Sequence, residues 1–174
     1  MITTLAIAAA AFSGANSGLA VGEMVTPFHP NHIFGPNKGT NACPPCTYGN
    51  RPAVQVWVNE DDSKNVVAIA NDLSDKVKAS KHELKAFVIQ MTCCQECVDS
   101  ITAVAKQVKA DNIGIAHIAQ TDSAVKNYKI NTDSEVKNTV IVYKDKKVVA
   151  KFVNLKADKK GLDELNAAIA KVDN

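Results

Sequence analysis

A cysteine pair at a strand–helix boundary constrains the fold of this chain more than any other feature. The pair is Cys94-Gln-Glu-Cys97; residues 84–91 before it have the apolar composition of a buried strand, and apolar residues recur at helical spacing from Val98 onwards. The N-terminus of a helix carries free N–H groups and partial positive charge, and both stabilise a thiolate. The pattern predicts a reactive dithiol with Cys94 as the nucleophile and Cys97, one turn later, as the resolving thiol.

Apolar periodicity after residue 52 predicts alternating strands and helices. The predicted strands span 53–58, 85–91, 112–119, 139–143 and 148–153. The predicted helices span about 63–79, a stretch from 98 to about 108, 122–128 and 162–172. Right-handed crossovers make the first three strands parallel, and the last two form an antiparallel hairpin. The sequence therefore predicts an α/β fold, a three-layer sandwich with a mixed central sheet.

The N-terminal segment has the pattern of a secretory signal peptide. Residues 1–20 contain no charged side chain, and the apolar run 2–12 is too short to span a bilayer. Small residues at 13–15 and 18–20 offer two cleavage sites. We expect export to a periplasmic or extracellular compartment, where disulfides persist.

Proline and glycine dominate residues 21–52, which we interpret as an irregular arm without regular helix. The predicted organisation is a signal peptide over 1–20, the arm over 21–52 and one domain over 53–174. The arm contains a second pair, Cys43-Pro-Pro-Cys46.

Four interpretations of this second pair stay open. Cys43 and Cys46 can form a local disulfide that pins the arm. With His29 and His32 they make a mixed set of a kind that suits zinc or copper(I). Pooled with Cys94 and Cys97, they would give a site with four thiolate ligands. As a redox pair, they would pass electrons to the later pair.

Three segments carry a resemblance to the thioredoxin fold. Residues 87–94 resemble the strand that leads into its active site, 127–130 its Tyr-x-Ile segment, and 138–149 its Thr-strand-turn-strand segment. The resemblance implies thiol–disulfide exchange with protein thiols or disulfides and no required cofactor. It also places Asn138 where the family has a cis-proline that faces the CxxC, and Cys93 where the family has a tryptophan.

Cys93 has two further interpretations. Its spacing to Cys97 is that of copper proteins of the Sco type, which also need a distant histidine, and His117 is the candidate. Alternatively, Cys93 is a small hydrophobic residue. Five cysteines are an odd number, so at least one is unpaired within the chain or pairs with another molecule.

The charge balance excludes one class of partner. The formal net charge is +2 with acids and bases interspersed, and nucleic-acid binding needs a concentrated basic face. No stretch has the length and apolarity of a membrane span. Two functions remain: an exported thiol–disulfide oxidoreductase, or a non-enzymatic thioredoxin-fold protein with structural or metal-bound cysteines that acts in binding or assembly.

Overall fold

We describe residues 16–174 in a computed structural model. Six strands form one sheet: β1 (Asn31–Phe34), β2 (Ala53–Val58), β3 (Lys85–Thr92), β4 (Gly114–Ala119), β5 (Asn138–Lys144) and β6 (Lys147–Val153). Five helices accompany them: α1 (Pro44–Tyr48), α2 (Ser63–Ala79), α3 (Gln95–Ala105), α4 (Ser123–Asn127) and α5 (Lys159–Val172). The predicted signal peptide lies mostly outside the described residues. Within them, no helix has the length and apolarity to cross a membrane.

The strand order is β1-β4-β3-β2-β5-β6. β2, β3 and β4 are parallel to one another, whereas β5 pairs antiparallel with both β2 and β6. This confirms the predicted mixed sheet with its parallel strands and terminal hairpin. The sheet has one strand more than predicted, since β1 pairs antiparallel with β4 at the edge.

The three long helices share one face of the sheet. β2, β3 and β4 follow each other in a single direction, so two right-handed crossovers place α2 and α3 on the same side. Apolar residues of α2, α3 and α5 pack there against alternate residues of the strands, including Val56 and Val88. The amphipathic periodicity of the sequence thus explains this half of the core.

The opposite face is covered by the N-terminal segment together with the short helices α1 and α4. Leu19, Val25 and Phe28 are buried there in one cluster with Trp57 and Tyr128. The ring centroids of Phe28 and Trp57 lie 5.2 Å apart, and those of Trp57 and Tyr128 lie 4.9 Å apart. The segment before β1 is therefore part of the core.

Residues 17–19 belong to the predicted signal peptide, yet they contact the domain. Ser17 Oγ lies 2.6 Å from Thr139 Oγ1, Gly18 N–H donates to the Lys129 carbonyl at 2.8 Å, and Leu19 is buried. Cleavage after residue 20 would remove these contacts, whereas cleavage after residue 15 would keep them.

The arm is also more regular than expected, since it contains β1 and α1. Prolines favour α1 because Pro44 and Pro45 occupy its first two positions, where no intrahelical N–H is required. Cys43 caps the helix, and its carbonyl accepts hydrogen bonds from Cys46 N–H and Thr47 N–H. The expectation that proline excludes helix here was wrong because it ignored this positional tolerance.

Candidate functional site: a three-cysteine cluster

The carboxyl end of β3 presents three cysteines to solvent. Thr92 Oγ1 donates to the Ile118 carbonyl at 3.1 Å and the Thr92 carbonyl accepts from Gln120 N–H, so the end of β3 is fixed against β4. Cys94 then adopts an extended conformation at the N-cap of α3 and makes no side-chain capping bond. The predicted boundary between a buried strand and a helix is therefore present at these cysteines.

The three sulfur atoms form a compact triangle. Cys94 Sγ and Cys97 Sγ lie 3.6 Å apart, Cys93 Sγ is 3.6 Å from Cys97 Sγ, and Cys93 Sγ is 3.7 Å from Cys94 Sγ. All three cysteines are free; Cys93 and Cys94 are exposed, and Cys97 is half-buried. Cys93 is therefore not a core residue. It is exposed, and its sulfur forms a group of three with those of Cys94 and Cys97.

The surroundings shift the pKa values of Cys93 and Cys97 in opposite directions. A hydrogen bond with the Cys93 backbone, aided by contacts with Cys94 and the Cys93 side chain, lowers the pKa of Cys97 against the opposing effect of burial. Hydrogen bonds with Cys97 and then Cys94, together with their charge, raise the pKa of Cys93 to about 11. Cys93 is accordingly the thiol that stays protonated and donates within the triangle.

Asn138 does not face this cluster. Its Nδ2 donates to Asp61 Oδ2 at 2.6 Å and to the Leu155 carbonyl at 2.9 Å, and its Oδ1 accepts from Leu155 N–H at 2.9 Å. It pairs with Val58 at the end of β2, so its neighbour is the β2–α2 connection. In the thioredoxin resemblance this position faces the CxxC; here a carboxylate occupies the facing place, and the cysteines lie one strand away.

The arm cysteines form a disulfide between Cys43 and Cys46. The disulfide leaves neither sulfur available as a thiolate ligand. His32 is buried and its Nε2 lies 3.0 Å from the Ala42 carbonyl, while His29 is exposed. The structure thus does not gather His29, His32, Cys43 and Cys46 into one ligand set.

Within residues 16–174, the only group of three or more His, Cys, Asp or Glu ligand atoms that could share a metal ion is Cys93, Cys94 and Cys97. The pooled site with four thiolates is therefore not formed. His117 lies outside the group; it pairs with Gln90 in the β3–β4 ladder, and burial lowers its pKa.

One feature of the site has no counterpart among the sequence-based predictions. Asp61 as the partner of Asn138 had no local signal, because the two residues are 77 positions apart. Cys93 did have a signal, its CxxxC spacing to Cys97, but that spacing was interpreted as a copper motif with His117 and not as a group of three thiols with Cys94.

Comparisons with known proteins show similarity in structure alone. No protein-family model and no curated protein matches the sequence. A Chlorobium tepidum protein, provisionally described as the thiol:disulfide interchange protein DsbE, aligns with TM-score 0.65 and 12% identity over 90% of this chain and 99% of its own. The thioredoxin domain of a Bacteroides vulgatus thiol-disulfide oxidoreductase aligns with TM-score 0.62 and 14% identity, over 90% and 99%.

A peroxiredoxin is also similar in structure at low sequence identity. Peroxiredoxin 6 of Arenicola marina, in a cysteine-to-serine mutant form, aligns with TM-score 0.61 and 16% identity over 88% of this chain and 73% of its own. Identities this low establish architecture and leave chemistry to the site itself. With the strand order and the mixed sheet described above, these alignments confirm that the protein has a thioredoxin-like fold.

Proposed function

We propose that the protein is an exported thiol–disulfide oxidoreductase that acts through Cys94 and Cys97. The observation that carries the proposal is the 3.6 Å separation of their sulfur atoms at the start of α3, with both thiols free. A disulfide has a sulfur–sulfur distance of about 2.0 Å, so the two sulfurs are close enough to bond once an oxidised substrate takes up their two electrons.

The chemistry follows from exposure. Cys94 is exposed and meets a protein disulfide first; its sulfur attacks one substrate sulfur, and the other substrate sulfur leaves as a thiolate that takes up a proton. Cys97 Sγ then attacks Cys94 Sγ in the mixed disulfide. The second substrate thiol is released, and the protein keeps the Cys94–Cys97 disulfide. One substrate disulfide is reduced for each protein dithiol oxidised.

A trapping experiment tests these roles. In a C93S/C97S variant, Cys94 should form a mixed disulfide with glutathione that persists, whereas in the C93S variant Cys97 should resolve it to an internal disulfide. Peptide mass spectrometry after equilibration with glutathione identifies the bonds. Absence of a Cys94–Cys97 disulfide at every glutathione ratio would refute the proposal.

Export is supported by the uncharged apolar N-terminus and by a disulfide in the arm, since disulfides persist in oxidising compartments. Because Ser17 and Leu19 pack in the core, we expect the mature chain to begin at residue 16. N-terminal sequencing of the native protein tests this, and an intact Met1 would contradict it.

A second candidate is a non-enzymatic protein that acts in binding or assembly. The hydrogen bond between Asp61 and Asn138 favours it, because a carboxylate stands where the resembled family has its reactive pair. In that case native thiol counting after equilibration with oxidised glutathione would still find Cys94 and Cys97 as two free thiols.

A further inference from the structure

We infer that Cys93, Cys94 and Cys97 form a pyramidal three-thiolate site for Zn²⁺, with the fourth coordination position open to an exogenous ligand. The inference concerns the same sulfur atoms as the proposed function but does not require that they exchange disulfides. It rests on the shape of the triangle, on the donor type and on exposure.

The dimensions of the triangle distinguish between coordination geometries. Tetrahedral zinc with Zn–S bonds of about 2.3 Å has neighbouring sulfurs about 3.8 Å apart, and planar three-coordination at that bond length needs about 4.0 Å. The observed edges are 3.6, 3.6 and 3.7 Å. An ion about 2.3 Å from each sulfur would lie about 0.9 Å above their plane, close to the tetrahedral value of about 0.8 Å. The cluster matches a tetrahedral ion better than a planar one.

The donor set agrees with this choice. Thiolates select zinc and copper(I) over hard cations, and copper(I) in a three-thiolate site would favour the wider, planar arrangement. Three thiolates and Zn²⁺ carry a net charge of −1, which the N–H groups at the start of the 11-residue helix α3 help to stabilise.

The fourth position is open because no other His, Cys, Asp or Glu among the described residues joins the group. Cys93 and Cys94 are exposed, so a water molecule or a thiol from another molecule can reach the ion. Binding replaces the thiol protons, which are released as the Zn–S bonds form. Formation of a Cys94–Cys97 disulfide removes two of the three ligands, so the oxidised protein should not bind the ion.

Cobalt(II) provides the direct test, because it enters tetrahedral thiolate sites and reports on them through thiolate charge-transfer and visible d–d bands. A full-length C43S/C46S variant removes the arm cysteines as competing ligands. After anaerobic reduction, it should bind one Co²⁺ with these bands, and Zn²⁺ should displace it. A matched C43S/C46S/C93S variant should bind at least about 10-fold more weakly, because loss of a direct ligand costs no less than loss of an outer-shell partner.

Several outcomes overturn the inference. They are equal affinity of the two variants, failure of the reduced protein to take up Co²⁺ or Zn²⁺, and uptake of copper(I) alone. Far-UV circular dichroism shows whether both variants are folded. If Zn²⁺ does not bind while a Cys94–Cys97 disulfide still forms reversibly with glutathione, the metal site fails and the oxidoreductase survives. If Zn²⁺ binds and no Cys94–Cys97 disulfide forms, the metal site stands and the oxidoreductase proposal fails.

Discussion

Substitution of Asn138 by alanine should destabilise the domain without touching the cysteine cluster. The residue is 1% exposed, and the three hydrogen bonds of its side chain join β5 to the Asp61 carboxylate and to the backbone of Leu155. Asp61 Oδ2 and the Leu155 carbonyl keep a second donor in Asn65 Nδ2, at 2.8 and 3.0 Å. Leu155 N–H has no such alternative and would be left unpaired.

The expected loss follows from these partners. A hydrogen bond to a charged acceptor contributes about 1.5 kcal/mol at the low end, and an unpaired buried N–H costs about 1–3 kcal/mol. We therefore expect N138A to lower the free energy of unfolding by about 3 kcal/mol. Asn50 is exposed, and the N50A variant is the matched control, with an expected change within about 0.5 kcal/mol.

Urea unfolding followed by far-UV circular dichroism measures both variants. The midpoint should fall for N138A while the slope m stays constant, since the surface exposed on unfolding hardly changes. A loss below about 1 kcal/mol would refute the reasoning, because it would mean that water replaces the amide at no cost.

Three further outcomes are expected. Burial lowers the pKa of His32 below its ordinary 6.5, so the unfolded state takes up a proton first. The free energy of unfolding should therefore be full above pH 6.5 and decrease as the pH falls below it, and H32Q should weaken this dependence. An unchanged pH dependence in H32Q would contradict this reasoning. The C43A/C46A variant should lose about 2 kcal/mol in urea unfolding, the entropy of closing so short a loop, and a larger loss would point to a packing role. The G35A and G39A variants both place a side chain at positive φ, but a Cβ at Gly35 would lie 1.9 Å from the Ile113 carbonyl oxygen, whereas one at Gly39 has no atom within 4 Å. The free energy of unfolding of G35A should therefore be about 1–3 kcal/mol lower than that of G39A in the same assay. Equal stabilities of the two variants would contradict the clash.

Periodicity predicted most of the domain because its elements are amphipathic or continuously apolar. β2 was predicted at its observed bounds, Ala53–Val58, since Val54, Val56 and Val58 all point to the main helical core. β1 was missed because a four-residue edge strand flanked by proline and glycine has no length over which a period shows.

In the candidate site, too, the features that depend on local sequence were predictable, and those that depend on contacts between distant segments were not. Cys94 at the start of α3 was predictable, since a strand, a cysteine and a helix follow one another locally. The contact between Asn138 and Asp61 was not, because it depends on β5 pairing with β2, and local sequence does not determine which strands become neighbours. The resemblance was therefore right for the architecture, yet it could not show that the position facing Asn138 is a carboxylate.

The N-terminal cover of the sheet has a consequence for biosynthesis. Ser17 meets Thr139 across 122 positions, and the Thr26 carbonyl accepts from the Tyr128 hydroxyl across 102. Ser17 and Thr26 are thus synthesised long before the residues that they contact. Until β5 and β6 are synthesised, the hydrogen bonds of Gly22 with Val148 and of Val25 with Lys146 cannot form, so part of this apolar cover stays exposed on the nascent chain.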